Sequence, residues 1–129
     1  MLRCALAATV CALASLVPTV QAQSTARPFP VAALRGSLQV LQPPDVRLNG
    51  VAARLAPGAR IRGTDNLLLL PVQLSGQTLT VHYTTELQGL IHQVWVLTAE
   101  EAARKPWPTT AAEAAAWTFD PASQTWSRP

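Results

Sequence analysis

From residue 35 to residue 98 the chain is a series of short apolar runs, each broken after roughly eight to twelve residues by a turn signal, the spacing of an all-β sandwich or barrel. In the first run Leu38 and Val40 alternate with Ser37 and Gln39, as in a strand buried on one face. Pro43-Pro44 ends it. Val46-Arg47-Leu48 and Val51 to Leu55 then flank Asn49-Gly50, a pair whose tolerance of positive φ suits a two-residue type I′ hairpin. Pro57-Gly58 predicts another turn, Ala59 to Arg62 a short strand with Ile61 inward and both arginines outward, and Gly63 to Asn66 the turn that closes it.

Leu67 to Leu70 is uniformly apolar, so both its faces are expected to be covered, or it sits where the sheet curves. Pro71, which cannot donate to a ladder, makes it an edge or bulged strand. Gln77 to Thr84 alternates cleanly, with Leu79, Val81 and Tyr83 on one side and Thr78, Thr80, His82 and Thr84 on the other. Its expected partner is Leu90 to Thr98. If Thr85 to Gly89 is the loop, Leu79 faces Trp95, Val81 faces Gln93 and Tyr83 faces Ile91. The same register sets His82 opposite His92 on the outer face.

Thr98-Ala99-Glu100-Glu101 has the form of a capping box, predicting a short helix to about Lys105 with Arg104 and Lys105 in its last turn, before Pro106. Thr110 to Glu113 repeats the signal before an alanine-rich turn ending near Trp117.

The first 22 residues are of another kind. Arg3 leads into a small and apolar run from Cys4 to Val17, then Pro18 and Val20-Gln21-Ala22, the pattern of a secretory signal peptide cut after Ala22. A spanning helix needs about 20 apolar residues, and Pro18 and Gln21 end this run early. Cleavage implies a periplasmic or secreted protein with no stable membrane span. It also removes Cys4 and Cys11, leaving no thiol to cross-link or to bind a soft metal. The expected organisation is a signal peptide over residues 1–22, a flexible leader over 23–33, a β domain with a short helix over 34–105, and a tryptophan-bearing tail over 106–129.

Without Arg3 the charge is nine Lys and Arg against seven Asp and Glu, too balanced to imply an acidic partner. Arg47, Arg54, Arg60 and Arg62 do crowd the first half. They read as a solvated strand face or as a basic surface for an anionic polymer. Nucleic acid is disfavoured, because the arginine-bearing first half of the exported chain has one aromatic, Phe29, and single-strand binders stack bases on aromatic rings.

Nothing reads as an enzyme or as a holder of cofactors. Ser37, Ser75 and Ser123 lack the GxSxG setting, and Glu100 and Glu101 are explained by helix starting. Facing imidazoles at His82 and His92 could hold zinc or copper(II) if a third ligand joined them, so a periplasmic metal-binding protein is one expectation. Trp107, Trp117, Phe119 and Trp126 crowd the tail. They either fold back over a barrel end or sheet edge, or anchor a partner.

Arg35-Gly36-Ser37-Leu38, Pro43 to Gly50, Leu55 to Gly63, Gly89 to Thr98 and Arg104 to Pro108 together resemble a family of small exported bacterial proteins without assigned function, over about residues 34 to 108. The resemblance implies export to the bacterial envelope and carries no catalytic or binding residues. The expected protein is a small antiparallel β-barrel of five to seven strands, OB- or SH3-like in size, with a short C-terminal helix. Its expected work is non-catalytic, binding an envelope protein or polymer through its sheet edge or its tail.

Overall fold

In the computed structural model, which describes residues 27–129, the alternating runs become β1 (Leu34–Val40), β2 (Asp45–Leu48) and β3 (Val51–Arg62). A two-residue β4 (Leu68–Leu69) and a 3-10 turn (Pro71–Leu74) follow, then β5 (Thr78–Thr85) and β6 (Ile91–Val96). Two helices, α1 (Ala99–Ala102) and α2 (Ala111–Ala116), lead to a terminal hairpin of β7 (Thr118–Asp120) and β8 (Thr125–Ser127). The expected signal peptide and the first residues of the expected leader lie outside the described residues.

β1, β2, β3, β6 and β5 close into a barrel in that spatial order, and β4 extends from β3. All contacts around the ring are antiparallel except β3 with β6, which run parallel. The chain leaves β3 through β4 and the 3-10 turn, crosses to β5 on the far side of β1, and so returns in β6 along β3 in the same direction. The expected small β-barrel is present, and its expected antiparallel pairing is corrected at this one contact.

Two local predictions are met closely. Asn49 and Gly50 have φ of 53° and 79°, and Leu48 pairs with Val51 across them, as a type I′ turn requires. Thr98 accepts the Glu101 amide while the Glu101 carboxylate takes the Thr98 amide, closing the capping box.

Pro57-Gly58 is not a turn between strands. β3 runs through it, with a register break between Leu55 and Arg60 and Gly58 at φ 75°. A bulge of this kind bends the strand without ending it. β3 thereby pairs with β2 over Val51 to Arg54, with β6 at Leu55 and again from Arg60 to Arg62, and with β4 at Ile61 and Arg62.

The β5–β6 register also differs from expectation. Val81 faces Val96, Tyr83 faces Val94 and His82 faces Trp95, and a break between Thr84 and Thr85 leaves His92 without a partner. The reversal is a tight turn in which the Gly89 amide bonds the Glu86 carbonyl and the Glu86 amide bonds the Leu90 carbonyl. With the bulge, this turns Trp95 and Gln93 to the outer face. Burial could not decide that parity, because the outer face of β5 and β6 is itself covered.

Two apolar clusters result. Leu38, Val46, Ile61, Val81, Tyr83 and Val94 belong to the one that fills the barrel, and Leu74 of the 3-10 turn joins them. The second lies outside it, where Phe29, Ala33, Trp95, Leu97, Trp107 and Trp126 pack together with Trp117 and Phe119 at the margin. Arg27 to Ala33, expected to be part of a flexible leader, is built into this layer. α1 stops at Ala102 rather than near Lys105, with no basic residue of its own in the last turn.

Candidate functional site

Across the outer face, pairing between strands sets Arg35, His82, Trp95, Arg62 and Leu68 side by side. His82 and Trp95 are buried, Arg35 and Arg62 half-buried, and Leu68 is open. His82 is 1% exposed. Trp107 stacks on its ring at 4.1 Å between centroids, and Phe29 meets it edge-on at 4.4 Å. Arg35 directs Nε and Nη2 at His82 Nε2, both at 3.3 Å, and the same guanidinium donates to the carbonyls of Glu101, Ala102 and Arg104. The cation at the end of α1 therefore comes from β1, which is why Arg104 and Lys105 are not needed there.

These surroundings set the ionisation of the site. Burial pushes His82 down to about 3, and the Arg35 charge adds to it. The ring is neutral, with Nε2 as the acceptor for Arg35. Burial by itself would raise the Glu101 carboxyl, but its bonds to Arg27 and Thr98 and the Arg27 charge outweigh this and hold it below the usual value. Arg27 makes two bonds to that carboxylate and two more to the Gly63 and Val96 carbonyls.

The predicted site residues fall in different places. His82 and His92 are not opposite one another: His82 is enclosed beside Trp95, while His92 is exposed at the bulge. Among the described residues no group of three His, Cys, Asp or Glu is placed to hold a metal ion. Trp107 and Trp126 are buried, and Trp117 and Phe119 are half-buried against them. Trp107 donates its indole N–H to the Ala33 carbonyl, so the tail is stitched to the start of β1. Arg47 and Arg54 are exposed on β2 and β3, with Arg54 beside Asp45 at 3.3 Å. Arg60 is exposed and Arg62 half-buried near the other end of β3.

A cluster of open apolar side chains along one segment lies next to those last two arginines. Leu67, Leu68, Leu70 and Val72 are each 60–65% exposed within six residues of chain. Leu68 to Pro71, with Gln73, face Ala59, Arg60 and Ile61 across a hollow of about 400 Å³. The run Leu67 to Leu70 reads as an edge or bulged strand, and its Leu68–Leu69 pair is the edge strand β4. Its expected covering is what fails, because β4 stands at the open end of the sheet order. Alternation was the only signal for burial available there, and a uniform leucine run carries none.

Comparison with protein-family models, with curated proteins and with solved structures finds no match. Among the described residues no helix is long and apolar enough to cross a membrane. His82, Glu101, Arg27 and Arg35 join the second layer to the barrel, and His82 Nδ1, Glu86 Oε1, Arg104 Nη1 and Trp126 Nε1 are buried without a hydrogen-bond partner among the described residues. The leucine corner is a surface where several large apolar side chains close in sequence stay exposed.

Proposed function

We propose that this protein is a non-catalytic binding module of the bacterial envelope, periplasmic or secreted, working through the aliphatic corner of β4 and the 3-10 turn. Its export rests on the leading 22 residues. The observation that carries the binding role is the exposure of Leu67, Leu68, Leu70 and Val72 on one continuous segment. Isolated surface leucines need no explanation, whereas a contiguous apolar patch bordered by charge is a usual mark of an interaction surface. Of the two surfaces the sequence offered, sheet edge and tryptophan tail, the edge is the one left open.

The reading is tested by placing a photoreactive residue at Leu68 or Val72, and at Ser37 on the outside of β1 as control, in cells that make the protein naturally. A discrete cross-linked product from the first two sites, missing from Ser37 and lost on adding Leu70→Lys, is the expected result. Equal labelling from all three sites, or none from the edge, would overturn it.

A further inference from the structure

Part of the backbone at the leucine corner is open as well: Leu70 donates its amide to the Gln73 side chain and its carbonyl accepts the Gln73 amide, and Leu68 is the residue whose N–H and C=O stay open. In an antiparallel pair the N–H and C=O of a residue point to the same neighbour, and the direction alternates along the strand. The Leu67 carbonyl accepts the Gly63 amide, so Leu67 and Leu69 turn to β3 and Leu68 turns its N–H and C=O away. No further strand lies on that side of β4 among the described residues. The Leu70 amide, next on the same side, is closed off by the Gln73 side chain at 2.9 Å.

The charge at this corner is uneven. Arg62 is paired across the ladder with Leu68, and Arg60 borders the hollow. Arg62 bonds the Asn66 carbonyl, and neither arginine has a carboxylate at ion-pair distance among the described residues. Asp65 is the one acid in the adjoining turn, and it accepts the Leu67 amide.

Building on the binding role proposed above, we infer that the β4 edge receives an extended, acidic and aliphatic segment of a partner protein as an added strand. The free N–H and C=O of Leu68 call for a polypeptide backbone. Leu67, Leu70 and Val72 call for aliphatic side chains, and Arg60 and Arg62 for carboxylates between them. Strand addition of this type draws affinity from backbone bonds and specificity from alternate side chains. A carbohydrate polymer would satisfy the arginines but not the aliphatic surface. A second copy of this chain would bring Leu68 against Leu68 and leave the arginines on both sides without acids.

The test uses the exported chain and three short capped peptides: one alternating valine with glutamate, one with lysine for glutamate, and the first with N-methyl groups on its central residues. The acidic peptide is expected to slow hydrogen exchange at the Leu68 amide and to bind at least about tenfold more tightly than the other two. Arg60→Glu with Arg62→Glu should reverse the preference between acidic and basic peptides. Leu68→Pro, which removes the outward N–H and keeps the ladder to β3, gives an independent loss of binding if the charge variant does not fold. Equal affinity for the acidic and N-methylated peptides overturns the added strand. Equal affinity for acidic and basic peptides overturns the charge argument. Self-association abolished by Leu68→Lys assigns the edge to a second copy and overturns the inference as well. Failure of every peptide to bind, with position-specific cross-linking intact, overturns this inference and leaves the broader binding role standing.

Discussion

The indole of Trp107 lies against the imidazole of His82, with ring centroids 4.1 Å apart and planes 23° from parallel. This contact joins a residue of the tail to a residue of the barrel wall, and the cluster around it turns the outer face of β5 and β6 into a second core. The tail therefore belongs to the folding unit. Trp107→Ala is expected to lower stability by about 3 to 5 kcal/mol, the range for truncating a buried tryptophan, as read from urea unfolding. Removing Trp107 to Pro129 altogether should abolish the cooperative transition, because Phe29, His82 and Trp95 would lose their cover. A truncated chain that still unfolds cooperatively would show the barrel to be independent of its second layer.

His82 predicts a pH dependence with a defined sign. Its ordinary value is 6.5 and its folded value is about 3. Burial is the main cause and Arg35 the next; Glu101 opposes, and Arg27 and Arg104 add to the lowering. Between those values the unfolded chain takes up a proton that the folded chain refuses. The contribution is complete above the unfolded value and falls as pH drops toward 3, by up to about 1.4 kcal/mol per pH unit. The urea midpoint should decline from pH 7.5 to pH 5, while the His82 ring resonances stay fixed over the same range. Glu101, held below its usual value, is lost only at lower pH, so this interval isolates the histidine. A His82→Gln variant that keeps the full slope would refute the assignment.

Arg27 and Glu101 form a pair with only 11% and 7% of their side chains exposed. Removing one member of such a pair leaves the other charged and enclosed, at a cost of about 3 kcal/mol or more. Arg27→Met and Glu101→Gln should each destabilise by that order, and the double variant by clearly less than their sum. A double-mutant cycle in urea measures the coupling directly. Strict additivity would mean that the two side chains act separately.

Arg35→Lys is expected to behave as a disruptive change. The planar guanidinium serves three carbonyls at the end of α1 and the His82 Nε2 together, and a single ammonium cannot reach them in the same geometry. A loss of about 2 kcal/mol, with faster exchange at the amides of α1, is the expected outcome. Unchanged exchange in α1 would remove Arg35 as its C-terminal anchor.

What the sequence determined by itself is what neighbouring residues decide among themselves. Asn49-Gly50 needs no distant partner to favour a type I′ turn, and Thr98 with Glu101 closes its own capping box. The alternation of Val81, His82 and Tyr83 likewise marks a strand, and the turn spacing marks an all-β barrel. Tertiary structure decided which face of that strand's partner, β6, turns inward, because Trp107, Phe29 and Trp126 cover the outer face and give Trp95 a buried place there. It decided that Pro57-Gly58 is a bend within β3 and that β6 runs parallel to it, since both depend on how the ends of the barrel meet. It also decided that Arg27 and Arg35 act inside the molecule, on partners 36 to 74 residues away along the chain. Hydrophobic pattern reports how many positions seek cover; only the closed fold settles which of them find it, as Leu69 does and Leu67, Leu68 and Leu70 do not.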